Sequence, residues 1–147
     1  MAIVGAGLIG FELAESLSGQ HKDVHLIDRM DTLLFRYFDQ EIAEILMARF
    51  PENLRIYLNS NVAHTKKDAA GNYTGLLLSN GKEISADIVV YAVNPRPNVA
   101  LVEEFLTLNL DGTIRTDDYL QTSDPSIYAI GDLVSIPFNH SDSSLYI

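Results

Sequence analysis

The stretch MAIVGAGLIGFELAES, residues 1–16, decides the fold of this chain. It opens with a short apolar run over residues 1–4, which is typical of a buried strand. Three closely spaced glycines follow: Gly5, Gly7 and Gly10. From position 9 to about position 18, apolar residues recur every four positions, which predicts a helix with one buried stripe formed by Ile9, Leu13 and Leu17. The order strand, glycine loop, helix is the first part of a βαβ unit.

The segment DVHLID, residues 23–28, completes this unit as a second strand with Asp28 at its tip. Each glycine has a physical role: Gly5 makes the tight turn, Gly7 lets the backbone approach a pyrophosphate, and Gly10 lets helix and strand pack closely. With an acid 18 residues after Gly10, the pattern predicts a dinucleotide-binding unit.

Asp28 also bears on which dinucleotide is bound. A carboxylate at this strand tip accepts hydrogen bonds from the adenosine ribose hydroxyls and repels a 2′-phosphate, which favours NADH over NADPH. The next residue, Arg29, could pair with a 2′-phosphate, so NADPH is the open alternative.

The rest of the chain extends the same α/β pattern. We predict a second helix over about 39–50, a third strand at 54–58, an antiparallel meander between 62 and 85, and a central strand buried on both faces at 86–93. The fold class is therefore α/β: a Rossmann-like, three-layer NAD(P)-binding domain with a parallel sheet and an antiparallel β-meander. A proline-rich boundary near residue 95 separates it, residues 1–95, from a second segment, residues 96–147, with a short helix near 100–106 and two strands.

Composition excludes several classes of partner. The net charge of −10 argues against nucleic acid as a ligand. The chain has no cysteine, hence no disulfide and no thiol nucleophile, and its four histidines lack metal-ligand spacing, so we predict no metal site. No apolar run approaches the roughly 18 to 20 residues that span a bilayer, and no signal-peptide pattern is present, so we predict a cytoplasmic location and no membrane contact.

Five features in this order resemble the flavin-dependent pyridine nucleotide-disulfide oxidoreductases, in particular the branch of NADH oxidase, NADH peroxidase and coenzyme A disulfide reductase. They are the glycine fingerprint with Glu12, the acid-tipped second strand, the meander, AVNPRPN at 92–98 and TSDPSIYAIGD at 122–132. In that family an FAD domain is interrupted by an inserted NADH domain. The resemblance implies that residues 1–95 are the NADH domain and that residues 96–147 are part of the FAD domain.

The resemblance also implies a reaction. Hydride would pass from NADH to FAD and then to oxygen, peroxide or a disulfide. Since the chain holds no second glycine fingerprint, no redox cysteine and no dimerisation domain, we expect it to be an inactive fragment of such an enzyme, and we expect homo-oligomers. We also expect self-association or a partly disordered tail, because Leu120, Ile127 and Tyr128 would lose the FAD domain against which they would pack.

Site residues follow from the resemblance by position. The pyrophosphate would lie at Gly5, Gly7 and Gly10 with Leu8 and Ile9, the adenosine ribose at Asp28 and Arg29, the adenine against Tyr37, the nicotinamide near Asn94, and the flavin ribityl chain at Gly131 and Asp132. Glu12 would be the catalytic acid close to the nicotinamide and flavin. Two positions depart from the family pattern: Leu8 replaces a tyrosine that covers the flavin in many members, and Asn94 replaces a glycine beside the nicotinamide.

A second function from another class fits the βαβ unit. In a regulatory dinucleotide-sensing module the nucleotide is a ligand that undergoes no redox chemistry. Such modules usually continue as alternating strands and helices, whereas this chain has a predicted meander and the YAIGD segment at 128–132.

Overall fold

The computed structural model describes residues 1–35, 37–93, 95–137 and 144–145. The chain divides into two compact units, Met1–Asn94 and Pro95–Ile147. Each unit has its own apolar core.

The first unit contains two helices and seven strands among its described residues. In chain order they are β1 (Ala2–Val4), α1 (Leu8–Gly19), β2 (Val24–Ile27), α2 (Gln40–Met47), β3 (Leu54–Tyr57), β4 (Val62–Lys67), β5 (Tyr73–Leu78), β6 (Glu83–Ser85) and β7 (Val89–Tyr91).

These strands form two sheets. The first is a parallel sheet in the order β3-β2-β1-β7, in which Ile3 of β1 pairs with Leu26 of β2 and with Val90 of β7. The second is an antiparallel meander in the order β4-β5-β6. Because β1 and β2 are parallel neighbours joined by α1, the predicted βαβ unit is present.

The parallel sheet is covered on both faces, since successive strand residues point to opposite sides. One face packs against the helices in a core of Ile3, Ala6, Ala14, Val24, Leu26, Leu33, Ala43 and Leu54. The other face packs against the meander in a core of Ala2, Ile27, Leu76, Leu78, Ile84 and Ala86. Helices, sheet and meander make three layers, which confirms the predicted α/β fold class.

Helix α1 buries the predicted stripe only in part: Leu13 and Leu17 are half-buried and pack against the helix-side core. Its buried residues are Gly10, Ala14 and Ser18, at helical spacing, whereas the side chain of Ile9 is 67% exposed. Small residues on the buried face let the helix axis approach the sheet closely. The prediction of Ile9 in the buried stripe was wrong, because larger residues gave the stronger periodic signal.

Helix α2 is shorter than predicted. Asp39 caps it by accepting the Ile42 N–H at 3.2 Å, and the helix ends at Met47. Its one buried residue is Ala43, while Ile42 and Ile45 are exposed.

Strand β7 differs from the prediction of a strand buried on both faces. It is the last strand in the order of the parallel sheet, and Val89 and Val90 are half-buried while Tyr91 is exposed. A strand at a sheet edge has a neighbour on one side only, which explains its exposure in this chain.

The second unit contains little regular structure among its described residues. It has a 3₁₀ turn at Gly131–Leu133, the short antiparallel pair β8 (Ile136–Pro137) and β9 (Ser144–Leu145), and a core of Leu106, Ile114, Ala129 and Val134. The predicted helix near 100–106 is a series of turns, and the two predicted strands are reduced to isolated bridges at Ile114 and Tyr128.

Candidate nucleotide-binding site

The glycine loop, residues 5–7, lies at the carboxyl end of β1, where the parallel sheet meets the start of α1. The Gly5 N–H donates to the Ile27 carbonyl of β2 at 2.8 Å, and on the other side the Ala92 N–H donates to the Val4 carbonyl at 2.8 Å. The loop is therefore anchored between the ends of β2 and β7, the usual ligand position in open parallel sheets.

Two of the three glycines are required by the fold itself. Gly5 has φ +108°, and a Cβ there would lie 2.5 Å from the Ala92 carbonyl oxygen. A Cβ on Gly10 would collide with the carbonyl oxygen of Gly5 and lie 3.4 Å from the Ala92 Cβ. Neither position can take a side chain without moving backbone atoms.

Gly7 is different, because a Cβ there would meet no atom of the described residues within 4 Å. Its φ of −73° and ψ of −175° are open to any residue. The fold itself does not require glycine at this position. Glycine here leaves the space in front of the loop open for a ligand.

Gly7 is also the N-cap residue of α1, and it supplies no side-chain cap. The first N–H groups of a helix have no intrahelical partner, and together with the helix dipole they form an anion-binding site. The open space at Gly7 therefore lies at the same end of α1 as these N–H groups.

Asp28 lies directly after β2 and is half-buried. Its Oδ2 accepts the Ala6 N–H of the glycine loop at 2.5 Å, and its Oδ1 accepts the Met30 N–H at 2.9 Å. The structure thus brings the predicted ribose-binding acid into direct contact with the predicted pyrophosphate-binding loop.

The remaining predicted residues of the first unit lie around this loop or in the segment after β2. Leu8 and Ile9, the first two residues of α1, are exposed. Arg29 is exposed next to Asp28, and Tyr37 is 52% exposed, with its N–H donated to the Leu34 carbonyl at 2.7 Å. Their contacts with a cofactor stay predictions.

Glu12 is exposed on α1, one turn beyond the helix start. The first turn of α1 contains no acidic residue, so Glu12 is too far along to stabilise the helix N-terminus in the usual way. Its role as the catalytic acid stays a prediction.

Three predicted residues lie elsewhere. Gly131 and Asp132 belong to the second unit, where both are exposed in the 3₁₀ turn and Gly131 has φ +69°. Asn94 lies outside the described residues.

Sequence reasoning missed Leu34. This residue is 2% exposed, has φ +52°, and donates its N–H to the Ala6 carbonyl at 3.1 Å. No local signal reveals it, because leucine rarely adopts a positive φ. The hydrogen bond of Asp28 to the loop was missed because it joins residues that are 22 positions apart in the chain.

The described residues contain neither a candidate metal site nor a candidate membrane-spanning helix. They hold no group of three or more His, Cys, Asp or Glu side chains placed to bind a metal ion. Among the same residues, no helix has both the length and the apolar character needed to cross a membrane.

The chain is similar in sequence and in fold to known oxidoreductases. The chain is 37% identical over its full length to an NADH oxidase from Streptococcus pyogenes. It superposes with a TM-score of 0.85 over 99% of its length, at 28% identity, on a water-forming NADH oxidase from Lactobacillus brevis bound to NADH. A NAD-dependent persulfide reductase from A. fulgidus superposes with a TM-score of 0.88 over 99% of the chain, at 31% identity.

The chain spans about a third of the length of these proteins: 32% of each NADH oxidase and 27% of the persulfide reductase. The pyridine nucleotide-disulphide oxidoreductase family matches residues 1–144, almost the whole chain. With the βαβ unit, the glycine loop and the meander already described, this match shows that the chain belongs to the pyridine nucleotide-disulphide oxidoreductase family.

Proposed function

We propose that this chain is the NADH-binding part, residues 1–95, and a segment of the FAD domain, residues 96–147, of an FAD-dependent oxidoreductase. The observation that carries the proposal is the open space in front of Gly7 at the uncapped start of α1. Family membership, and relatives named as NADH oxidases, support the same function.

The site residues fit a dinucleotide. The N–H groups at the start of α1 would donate to the pyrophosphate, so the chain's net charge of −10 does not prevent binding. Asp28 already accepts one hydrogen bond at each carboxylate oxygen, and each oxygen has a second lone pair for a ribose hydroxyl. The same carboxylate would repel a 2′-phosphate, which favours NADH.

When bound, flavin supplies the acceptor for the hydride of NADH, chemistry that no side chain of this chain can supply. The exposed carboxylate of Asp132 is accessible to a flavin ribityl hydroxyl. Glu12 would hold its charge near the nicotinamide from the second turn of α1. Oxygen, peroxide or a disulfide would be the final acceptor.

The alternative is a dinucleotide-sensing module without redox chemistry, in which NADH binds at the same loop. The flavoprotein function is favoured because the antiparallel meander covers a face of the parallel sheet that alternating strands and helices would cover with helices.

Anaerobic mixing of the complete protein that contains this chain with NADH distinguishes the two functions. We expect a bound flavin whose visible absorbance is lost when NADH is added. The Glu12→Gln variant should slow this loss while leaving NADH affinity unchanged, and Glu15→Gln, on the same helix, should not slow it. A protein that binds NADH but carries no reducible flavin would contradict the proposal and support the sensing module.

A further inference from the structure

Both backbone groups of Ala6, in the middle of the glycine loop, are held by the segment that follows β2. Its N–H donates to Asp28 Oδ2 at 2.5 Å, and its carbonyl accepts the Leu34 N–H at 3.1 Å. Ala6 is 2% exposed, so water cannot easily replace either partner. The conformation of the loop therefore depends on these two bonds.

Asp28 is itself held in place by three further hydrogen bonds. Its backbone N–H donates to the Tyr57 carbonyl at 2.9 Å, and its backbone carbonyl accepts the Ser60 N–H at 2.8 Å. Its second carboxylate oxygen accepts the Met30 N–H at 2.9 Å. The carboxylate that supports the loop is thus anchored to β3 and to the residues after it.

Leu34 holds the loop through the carbonyl group of Ala6. It lies in the left-handed region at φ +52°, which a leucine adopts only when its surroundings enforce it. Its carbonyl accepts the N–H groups of Tyr37 and Phe38 at 2.7 and 3.2 Å, while its own N–H holds Ala6.

We propose that Asp28 is a positioning residue for the glycine loop: its carboxylate holds the Ala6 N–H in place before any ligand binds. This role is additional to the ribose contact in the proposed function. One carboxylate would then serve two parts of the dinucleotide, the ribose directly and the pyrophosphate through the loop. The bracing of the loop does not depend on the identity of the ligand.

Amide hydrogen exchange of the nucleotide-free chain tests the bracing. In the Asp28→Ala variant we expect the Ala6 and Met30 amides to exchange at least about tenfold faster, because each loses a charge-assisted hydrogen bond. The Leu26 amide in the core of β2 should keep its protection, which separates local loosening from unfolding. Asp28→Asn, which keeps one acceptor oxygen, should restore slow exchange at one of the two amides.

The matched control is Asp31→Ala, which removes the same charge from an exposed neighbouring position and should leave Ala6 exchange unchanged. Unchanged Ala6 exchange in Asp28→Ala would overturn the proposal. So would equal acceleration in Asp31→Ala, since the cause would then be charge alone.

Binding of inorganic pyrophosphate separates positioning from electrostatics, because this ligand has no ribose. Loss of a negative charge alone should tighten its binding in both alanine variants, whereas a loosened loop should weaken it in Asp28→Ala only. Tighter binding in Asp28→Ala would overturn the positioning role. Failure of the unmodified chain to bind pyrophosphate would count against the proposed function, while the exchange experiment still decides the bracing.

Discussion

The carbonyl oxygen of Gly5 occupies the place that a side chain on Gly10 would need. The turn after β1 and the first turn of α1 therefore touch backbone to backbone. We predict that Gly10→Ala lowers the free energy of unfolding by at least about 2 kcal/mol, because the backbone must move to admit a methyl group.

Urea unfolding measures this effect, and Gly19→Ala is the matched control. Gly19 ends the same helix, and a Cβ there would meet none of the described atoms within 4 Å. We expect Gly19→Ala to change stability little or to increase it, since alanine favours the helix. Equal stability of the two variants would disprove the close approach.

The ratio of NADH to NADPH affinity tests the charge of Asp28 separately from its contact with the loop. Both nucleotides use the same loop, so any loosening cancels in the ratio. We predict that the unmodified chain prefers NADH and that Asp28→Asn lowers this preference at least about tenfold, since a repulsive charge near the 2′-phosphate is lost. Asp31→Asn should leave the ratio unchanged.

Calorimetric titration of each variant with both nucleotides gives the ratio. A preference for NADPH in the unmodified chain would show that Arg29, exposed beside Asp28, dominates the choice.

Stability should fall as the pH is lowered past neutrality because of His25. This half-buried side chain lies on β2, its ring is stacked on Tyr57 with centroids 5.7 Å apart, and its Nδ1 is 3.1 Å from the Tyr57 hydroxyl. Burial, and then the positive charges of the amino terminus, Arg55 and Lys82, lower the pKa of His25 below its ordinary value of 6.5, against an opposing effect of Asp23.

A lowered pKa in the folded state means that the unfolded chain binds the proton first. The contribution of neutral His25 to the free energy of unfolding is therefore complete above pH 6.5. It is lost as the pH falls from there towards the pKa of His25 in the folded state. Urea unfolding between about pH 7.5 and about pH 5.5 should show this slope in the unmodified chain and a smaller slope in His25→Gln. The exposed His64 gives the control variant His64→Gln, which should keep the slope; equal slopes in all three proteins would contradict the assignment.

Exposed apolar residues of the second unit bear on the predicted self-association of the chain. Leu101, Tyr128 and Ile130 are 88%, 60% and 69% exposed, and they line an apolar groove of about 270 Å³. Of the three residues named for this purpose from the sequence, Tyr128 is exposed, while Leu120 and Ile127 are half-buried. Exposed apolar patches favour association, so we predict a mass above that of one chain in analytical ultracentrifugation.

The double variant Leu101→Glu and Ile130→Glu should return the mass to that of one chain. Leu110→Glu is the control, because Leu110 is fully exposed but does not line the groove. A single-chain mass for the unmodified protein at micromolar concentration would refute the prediction.

Sequence reasoning predicted the βαβ unit because glycine spacing and strand patterning are local signals. The meander followed from turn residues in the same way. The fully buried residues of α1 were missed because Gly10, Ala14 and Ser18 give almost no hydrophobic signal, although their small size is what admits the close packing. The exposure of β7 depends on strand order, which no local pattern contains.

The candidate site, too, could be predicted only where local sequence signals reveal it. Gly5, Gly7, Gly10 and Asp28 could be named from their spacing. The close packing at Gly5 and Gly10 was predicted as well, but its partners, the carbonyl groups of Ala92 and Gly5, could not be named, because they depend on the three-dimensional fold. The same holds for the bonds that Asp28 and Leu34 make to Ala6.

Substitution of Gly7 gives the most direct test of whether a dinucleotide binds at the start of α1. A methyl group here enters the open space and costs the fold less than about 1 kcal/mol, the usual scale for N-cap substitutions of this kind. In calorimetric titrations with NADH, we predict that the unmodified chain and Gly19→Ala bind alike, whereas Gly7→Ala binds at least about tenfold more weakly with nearly unchanged stability. Equal NADH affinity of Gly7→Ala and the unmodified chain would contradict it.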